Sequence, residues 1–208
     1  MSEPSAPRLP EPESDDLGRY LEDTITIDWQ SPRVSACAKS LLDGRSDPND
    51  RVRVLFEFVR DEIDHSLDVP TEAHPCRASE VLSEGTGLCY AKSHLLAGLL
   101  RYAGYPTGFC YARCVDPERP GRFVLHGFNA VYRVDSDAWI YLDARGDRGD
   151  RKTECRFEPP WSLAQWPDPE QGEAFLPFIY RRPGKRVIDL LERAPSFEAI
   201  RRNLPDAL

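Results

Sequence analysis

The sequence has no apolar run long enough to cross a bilayer as a helix, which excludes a helical membrane span. It has no excess of basic charge either. Its 27 Lys and Arg against 35 Asp and Glu leave a net charge of -8, so phosphate backbones and anionic membranes would be repelled. Neither nucleic acid nor membrane is an expected partner. The opening stretch MSEPSAPRLPEPESDD lacks the basic and apolar segments of a secretory signal. Without export, the six cysteines (Cys37, Cys76, Cys89, Cys110, Cys114 and Cys155) are expected as reduced thiols in a cytoplasm rather than as a disulfide framework. The alternating Asp/Asn pattern of a calcium loop is missing. So is any internal repeat, and nothing calls for a cofactor.

With 208 residues and 40% hydrophobic content, one domain with a sizeable core is expected over residues 17–208. Residues 1–16, rich in Pro, Ser and Glu, read as a disordered tail. Tyr20–Trp29 alternates through Leu21, Ile25 and Ile27 as an edge strand would. Pro32–Leu42 carries an apolar stripe of Val34, Cys37, Ala38, Leu41 and Leu42, which predicts a short helix. Asp47-Pro48 opens a stronger helix, since proline suits the first helical position, and Val52, Leu55, Phe56, Val59 and Ile63 form its apolar face. Asp64–Pro75 reads as a polar loop of the kind that shapes a cleft, and His65 as a helix-end residue. Thr107–Val115 is a strand. Phe157–Tyr180, with its prolines and aromatics, cannot be regular throughout. Val187–Leu191 and Phe197–Leu204 suggest closing helices.

The centre of the chain is Ser83–Gly104, SEGTGLCYAKSHLLAGLLRYAG. Ala91, Leu95, Leu96, Leu99, Leu100 and Ala103 recur at three- and four-residue spacing, the pattern of a helix buried on most of its circumference. Thr86 is the expected N-cap and Gly104 the expected stop. Cys89 then falls in the first turn, where free N–H groups and the helix dipole favour thiolate over thiol. Downstream, RFVLHGFNAVYRV is a strand carrying His126, Asp135–Asp137 make a turn, and AWIYLD is a strand ending at Asp143. Cysteine, histidine and aspartate are the set in which imidazole takes the thiol proton and a carboxylate fixes the imidazole's tautomer.

GLCYAKS at a helix start, then HGFNAVY, then WIYLD resembles the transglutaminase-like core of the papain-like cysteine enzyme superfamily, in its small microbial form. RASEVLSEGTGLC and DRVRVLFEFVRDEIDH resemble that family's lead-in. The likeness runs from Pro48 to Asp143. It implies an α+β fold in which the helix bearing the nucleophile packs on an antiparallel sheet, with residues 144–208 as an aromatic, proline-rich C-terminal part. It implies Cys89 as nucleophile, His126 as general base and Asp143 as the orienting acid. The expected reaction is thiol-dependent acyl transfer on an amide or peptide bond, through a thioester, with a protein or peptide substrate. Hydrolysis ranks slightly ahead of transamidation. The Cys89 backbone N–H is the expected oxyanion donor. Papain-type proteases take a second donor from a glutamine six residues before the nucleophile, where this chain has Ser83. Gly87, Tyr90, Gly127 and Arg145 are candidates to line the substrate cleft.

Each of these residues also has a plainer reading. A lone cysteine more often packs than reacts; the glycine-flanked helix start, followed by His and Asp, reverses that. A histidine in an apolar strand is by default a satisfied core residue, Tyr90 fits core packing as well as a site role, and a solvated loop residue is the commoner reading of Arg145. His94, five residues after Cys89, lies about 180° around the helix and so packs elsewhere. Cys110 and Cys114, on one face of a strand, would stand about 13 Å apart. Two ligands of one zinc must lie within about 4 Å of each other, so no metal site is expected. The paired CxxC zinc motifs of the family's peptide N-glycanase branch do not occur. Two other classes fit in part. A non-catalytic scaffold would keep the fold without the geometry. An arylamine N-acetyltransferase would need RGG-x-C where EGTGLC stands.

Overall fold

A computed structural model describes residues 7–146 and 152–208. In chain order the elements are β1 (Glu11–Pro12), α1 (Pro32–Leu42), α2 (Pro48–Glu62), β2 (Asp64–His65), α3 (Ala78–Glu84), β3 (Thr86–Gly87), α4 (Cys89–Tyr102), β4 (Thr107–Val115), β5 (Phe123–Arg133), β6 (Ala138–Leu142), β7 (Ala174–Phe175), β8 (Phe178–Ile179), α5 (Lys185–Arg193) and α6 (Phe197–Arg202). Short 3-10 turns cover Leu17–Tyr20 and Pro169–Gln171.

Everything packs around α4, whose residues Tyr90 to Arg101 are all buried. Its apolar side chains are too many for one neighbour, so the helix lies between α1, α2 and α3 on one side and β4 and β5 on the other. Each fully buried leucine there contributes about 1.5–3 kcal/mol, and Leu95, Leu96, Leu99 and Leu100 are all fully buried. The sheet runs β6-β5-β4-β7, antiparallel throughout. In the β4–β5 register Phe109 faces Asn129 and Ala112 faces His126. Odd-numbered residues of these strands, Phe109 and Tyr111 among them, join the core around α4. Even-numbered ones, with Cys110, Cys114 and Phe128, enter a second core with Tyr20, Phe175 and Ile179. Asn129, fully buried, donates to Ser93 O of α4 at 3.1 Å and to Gly108 O at 3.2 Å, fastening helix to sheet.

Pro32 and Pro48 open their helices where proline's missing N–H costs nothing, with Ser31 and Asp47 as side-chain caps. Three sequence expectations fail. Tyr20–Trp29 is no strand: Thr24 Oγ1 accepts from Ile27 N–H at 3.0 Å and Asp23 Oδ1 from Gln30 N–H at 2.9 Å, folding the segment into turns. Thr86 does not cap α4. It lies in β3, extended, because β3 pairs in parallel with β2, and Leu88 becomes the N-cap with no side-chain bond to give. The stretch expected as a disordered tail is packed over residues 7–16; residues 1–6 lie outside the described residues. Glu11 N–H bonds Pro177 O at 2.9 Å as β1 pairs with β8, and Tyr141 donates its hydroxyl proton to Pro10 O at 2.7 Å. An extended proline-rich segment needs only a sheet edge to satisfy its few N–H groups. Among the described residues no helix is long and apolar enough to cross a membrane.

Candidate active site

Cys89 stands at the first residue of α4, half-buried, in a cleft of about 230 Å3. The cleft also holds His126 from β5, Arg145 from the loop after β6, His65 and Asp68 from the segment after α2, and Leu204 from the chain's C-terminal part. Tertiary folding thus brings together five segments well separated in the sequence.

The sheet side supplies the base. β6 ends at Leu142, opposite Asn129, so Asp143 continues along β5 on the face that carries His126. His126 Nε2 lies 2.7 Å from Asp143 Oδ2, with side chains 12% and 0% exposed. Asp143 is further held by Arg145 N–H on Oδ1 at 3.0 Å and by Ala164 N–H on Oδ2 at 2.8 Å. Burial opposes the charge on Asp143, yet the facing imidazole and these N–H donors outweigh it and keep the carboxyl below its ordinary value. Burial likewise works to lower His126. The Asp143 charge, its hydrogen bond and a further bond from the Cys89 side chain win, raising the imidazole to about 10. With Nε2 on the carboxylate, Nδ1 is the nitrogen left for the thiol. The ring also stacks on Phe128, centroids 6.3 Å apart.

Four of the other thiols are held apart from such chemistry. Burial pushes Cys76 and Cys155 up to about 12, raises Cys37, and carries Cys110 far above its ordinary value. No disulfide joins any of the six cysteines. Among the described residues no cluster of three or more His, Cys, Asp or Glu could hold a metal ion. His94 is fully buried, with Nδ1 2.7 Å from Cys76 O, and burial lowers it to about 4. It packs away from Cys89, as its position on the helix predicts.

The cleft candidates divide. Tyr90 and Arg145 line the cleft; Gly87 and Gly127 do not. A Cβ on Gly127 would stand 2.9 Å from Tyr90 Cδ1, and one on Gly87 would stand 2.9 Å from Ala91 Cβ. Both glycines serve close packing against α4 rather than substrate. Tyr90 is buried and donates its hydroxyl proton to Leu125 O, so it braces the histidine strand from below. Arg145 is buried and pairs with Asp68 through two bonds, 2.6 and 2.9 Å. The rest of the loop after it, 147–151, lies outside the described residues.

Two features escape the sequence reading. The Cys89 N–H, expected as an oxyanion donor, points at His65 Nε2, 3.1 Å away. His65 is not a loose helix end but is buried in β2, paired with Gly87. Its only signal in the sequence is its spacing from Asp68, in a run of polar residues of the kind common where a helix ends in solvent. Lys92, one turn after Cys89, is buried and donates to Arg60 O at 3.2 Å and to Ile63 O. It closes the carbonyl end of α2 and ties β2 to the cysteine helix; burial lowers its ammonium to about 8. Ser83, at the position of the papain glutamine, lies exposed on α3. The far wall comes from the C-terminal part, where Pro205 O accepts from Leu125 N–H at 2.7 Å.

A helix with cysteine at its head, packed on an antiparallel sheet that carries histidine and aspartate, is the papain-like core. The model of the transglutaminase-like superfamily matches residues 35–144, just over half of the chain. The chain belongs to that superfamily. Among solved structures it is similar to a proposed cysteine protease from Cytophaga hutchinsonii, at 16% identity and TM-score 0.51, covering 64% of this chain and 43% of that one. It also resembles the periplasmic domain of TgpA from Pseudomonas aeruginosa (20% identity, 62% and 48% covered, TM-score 0.46). Red sea bream transglutaminase is a third (14%, 64% and 32%, 0.46). The matched part spans less than half the length of each of these proteins. No curated protein matches the sequence.

Proposed function

We propose that this protein is a cysteine enzyme of acyl transfer, with Cys89 as nucleophile, His126 as general base and acid, and Asp143 as the carboxylate that orients the ring. The observation that carries the reading is the relay on the sheet side of the cleft. A fully buried carboxylate holds His126 Nε2 at 2.7 Å, and the same imidazole lines the cleft together with Cys89. In the first step His126 takes the thiol proton, which leaves a thiolate beside an imidazolium. The thiolate attacks the carbonyl carbon of an amide, a glutamine side chain or a peptide bond. The carbonyl electron pair moves to oxygen. On collapse the C–N bond breaks and His126 returns the proton to the departing amine, leaving a thioester on Cys89. Water, deprotonated by the now neutral His126, releases the acid; a second amine would instead give a new amide. Hydrolysis of a peptide or protein substrate is the reaction proposed.

Selective alkylation tests the nucleophile. At pH 7 iodoacetamide should modify Cys89 well before the other five thiols, and Asp143→Asn should slow that reaction. Equal rates across all six cysteines would refute an activated thiol. With glutamine peptides, incorporation of a primary amine in preference to release of ammonia into water would replace hydrolysis by transamidation.

A further inference from the structure

The chemistry above uses one side of Cys89; the other side meets a second imidazole. Two backbone N–H groups converge on the His65 ring. The Cys89 N–H points at Nε2, 3.1 Å away, and the Leu67 N–H points at Nδ1, 3.3 Å away. A neutral imidazole has one bare nitrogen and one N–H, so it can accept from one of these groups and must turn a proton toward the other. With Nε2 bare, the ring caps the Cys89 amide. With Nδ1 bare, it accepts from Leu67, and its Nε2–H meets the Cys89 N–H at the wall of the cleft, which both residues line. Two donors so placed repel each other until an acceptor joins them. Asp68 would fix the proton on Nδ1 if it could reach, but its nearest oxygen is 3.9 Å from that nitrogen, and both its oxygens are bonded to Arg145. The ring itself is held: its side chain is 5% exposed, and β2 is fixed against β3 two residues before Cys89.

We infer that His65 is a catalytic residue, the second oxyanion donor. In its Nε2–H tautomer the ring and the Cys89 N–H together hold the oxygen of the tetrahedral intermediate. This rests on Cys89 being the nucleophile. The proton balance is closed: Nε2 gains a proton, Nδ1 gives one up through solvent, and the Leu67 N–H takes the lone pair uncovered at Nδ1. The backbone bond that Cys89 releases is matched by the one that Leu67 gains, so the switch is close to neutral in energy until charge appears on the substrate oxygen.

Two probes of the intact protein separate the roles. p-Nitrophenyl acetate acylates a thiol through an oxyanion; iodoacetamide alkylates it without one. His65→Phe should slow acylation of Cys89 about 10²-fold while leaving alkylation within about threefold of wild type. His65→Gln, which keeps an N–H donor, should recover at least about tenfold of the lost acylation rate. If Phe prevents folding, His65→Ala serves, read through the same ratio of the two rates. Acylation within about threefold of wild type in the Phe or Ala variant, or a Gln variant no better than either, would overturn the inference. A wild-type Cys89 that reacts with neither probe faster than its neighbours refutes the nucleophile itself, and the oxyanion role falls with it.

Discussion

Cys89 lies between two imidazole–carboxylate pairs that are built to opposite ends. On the sheet side, Asp143 is completely buried, 2.7 Å from His126, and holds two further N–H donors. On the loop side, Asp68 is 49% exposed, 3.9 Å from His65, and committed to Arg145. Charge in a dry site is worth far more than charge in water, so the first carboxylate raises its histidine, while the second stands farther off in a half-exposed position. The same two residue types are thereby proposed as a proton acceptor in one place and a tautomer switch in the other. Burial and the third partner make the difference, not the sequence of the pair.

The comparison breaks most severely at Asp143. Asp143→Asn should lower kcat by about 10²–10⁴-fold, because the imidazole loses both its charge partner and its fixed orientation. The pH dependence of stability supplies the sharper form of the same test. His126 is raised in the folded protein, so its contribution is fully present below its ordinary 6.5 and is lost as pH rises through about 10. Asp143, depressed, contributes above its ordinary 3.8 and loses that contribution as pH falls through its folded value. Thermal unfolding of the wild type should therefore weaken at both ends. Asp143→Asn should flatten the alkaline limb, and an unchanged alkaline limb would detach His126 from the ion pair.

A middle effect is expected where the sheet is fastened to the helix. Asn129→Leu removes two bonds to buried carbonyls and leaves Ser93 O and Gly108 O without those donors, so unfolding in urea should show a loss of about 1–3 kcal/mol. If activity falls in that variant, it should fall through the spacing of Cys89 and His126, with iodoacetamide reactivity dropping in parallel. The smallest effect belongs to the loop-side carboxylate. Asp68→Asn weakens a half-exposed ion pair, for which a change of about 0–1 kcal/mol in stability is expected. A loss as large as that of Asn129→Leu would mean that the two sides of the cleft are not built differently after all.

Much of this site is legible before folding. Pro32 and Pro48 mark helix starts through a property of their own backbone, and the leucine spacing of α4 announces burial on nearly every side. The Cys89, His126 and Asp143 set stands out because each residue sits in an apolar stretch where a polar side chain needs a reason. His65 had no such contrast. It follows Ile63 at a helix exit among Asp64, Ser66 and Asp68, where polarity is ordinary, and only the parallel pairing of β2 with β3 turns it toward the helix start. Thr86 was misread for the same cause, since its capping propensity is local and the strand pairing that overrode it is not. The proline-rich segment 7–16 looked unable to bury anything, yet it needed only an edge, which β8 supplies from more than 150 residues away.

The periodic elements, the buried central helix and the residues capable of the chemistry follow from the order of amino acids alone, because these depend on side-chain spacing and backbone limits within a few residues. Which nitrogen faces which oxygen, that Gly87 and Gly127 pack against α4 instead of lining the cleft, and what meets the far side of Cys89 were decided only in three dimensions. Those outcomes depend on contacts between segments whose separation along the chain carries no local signal.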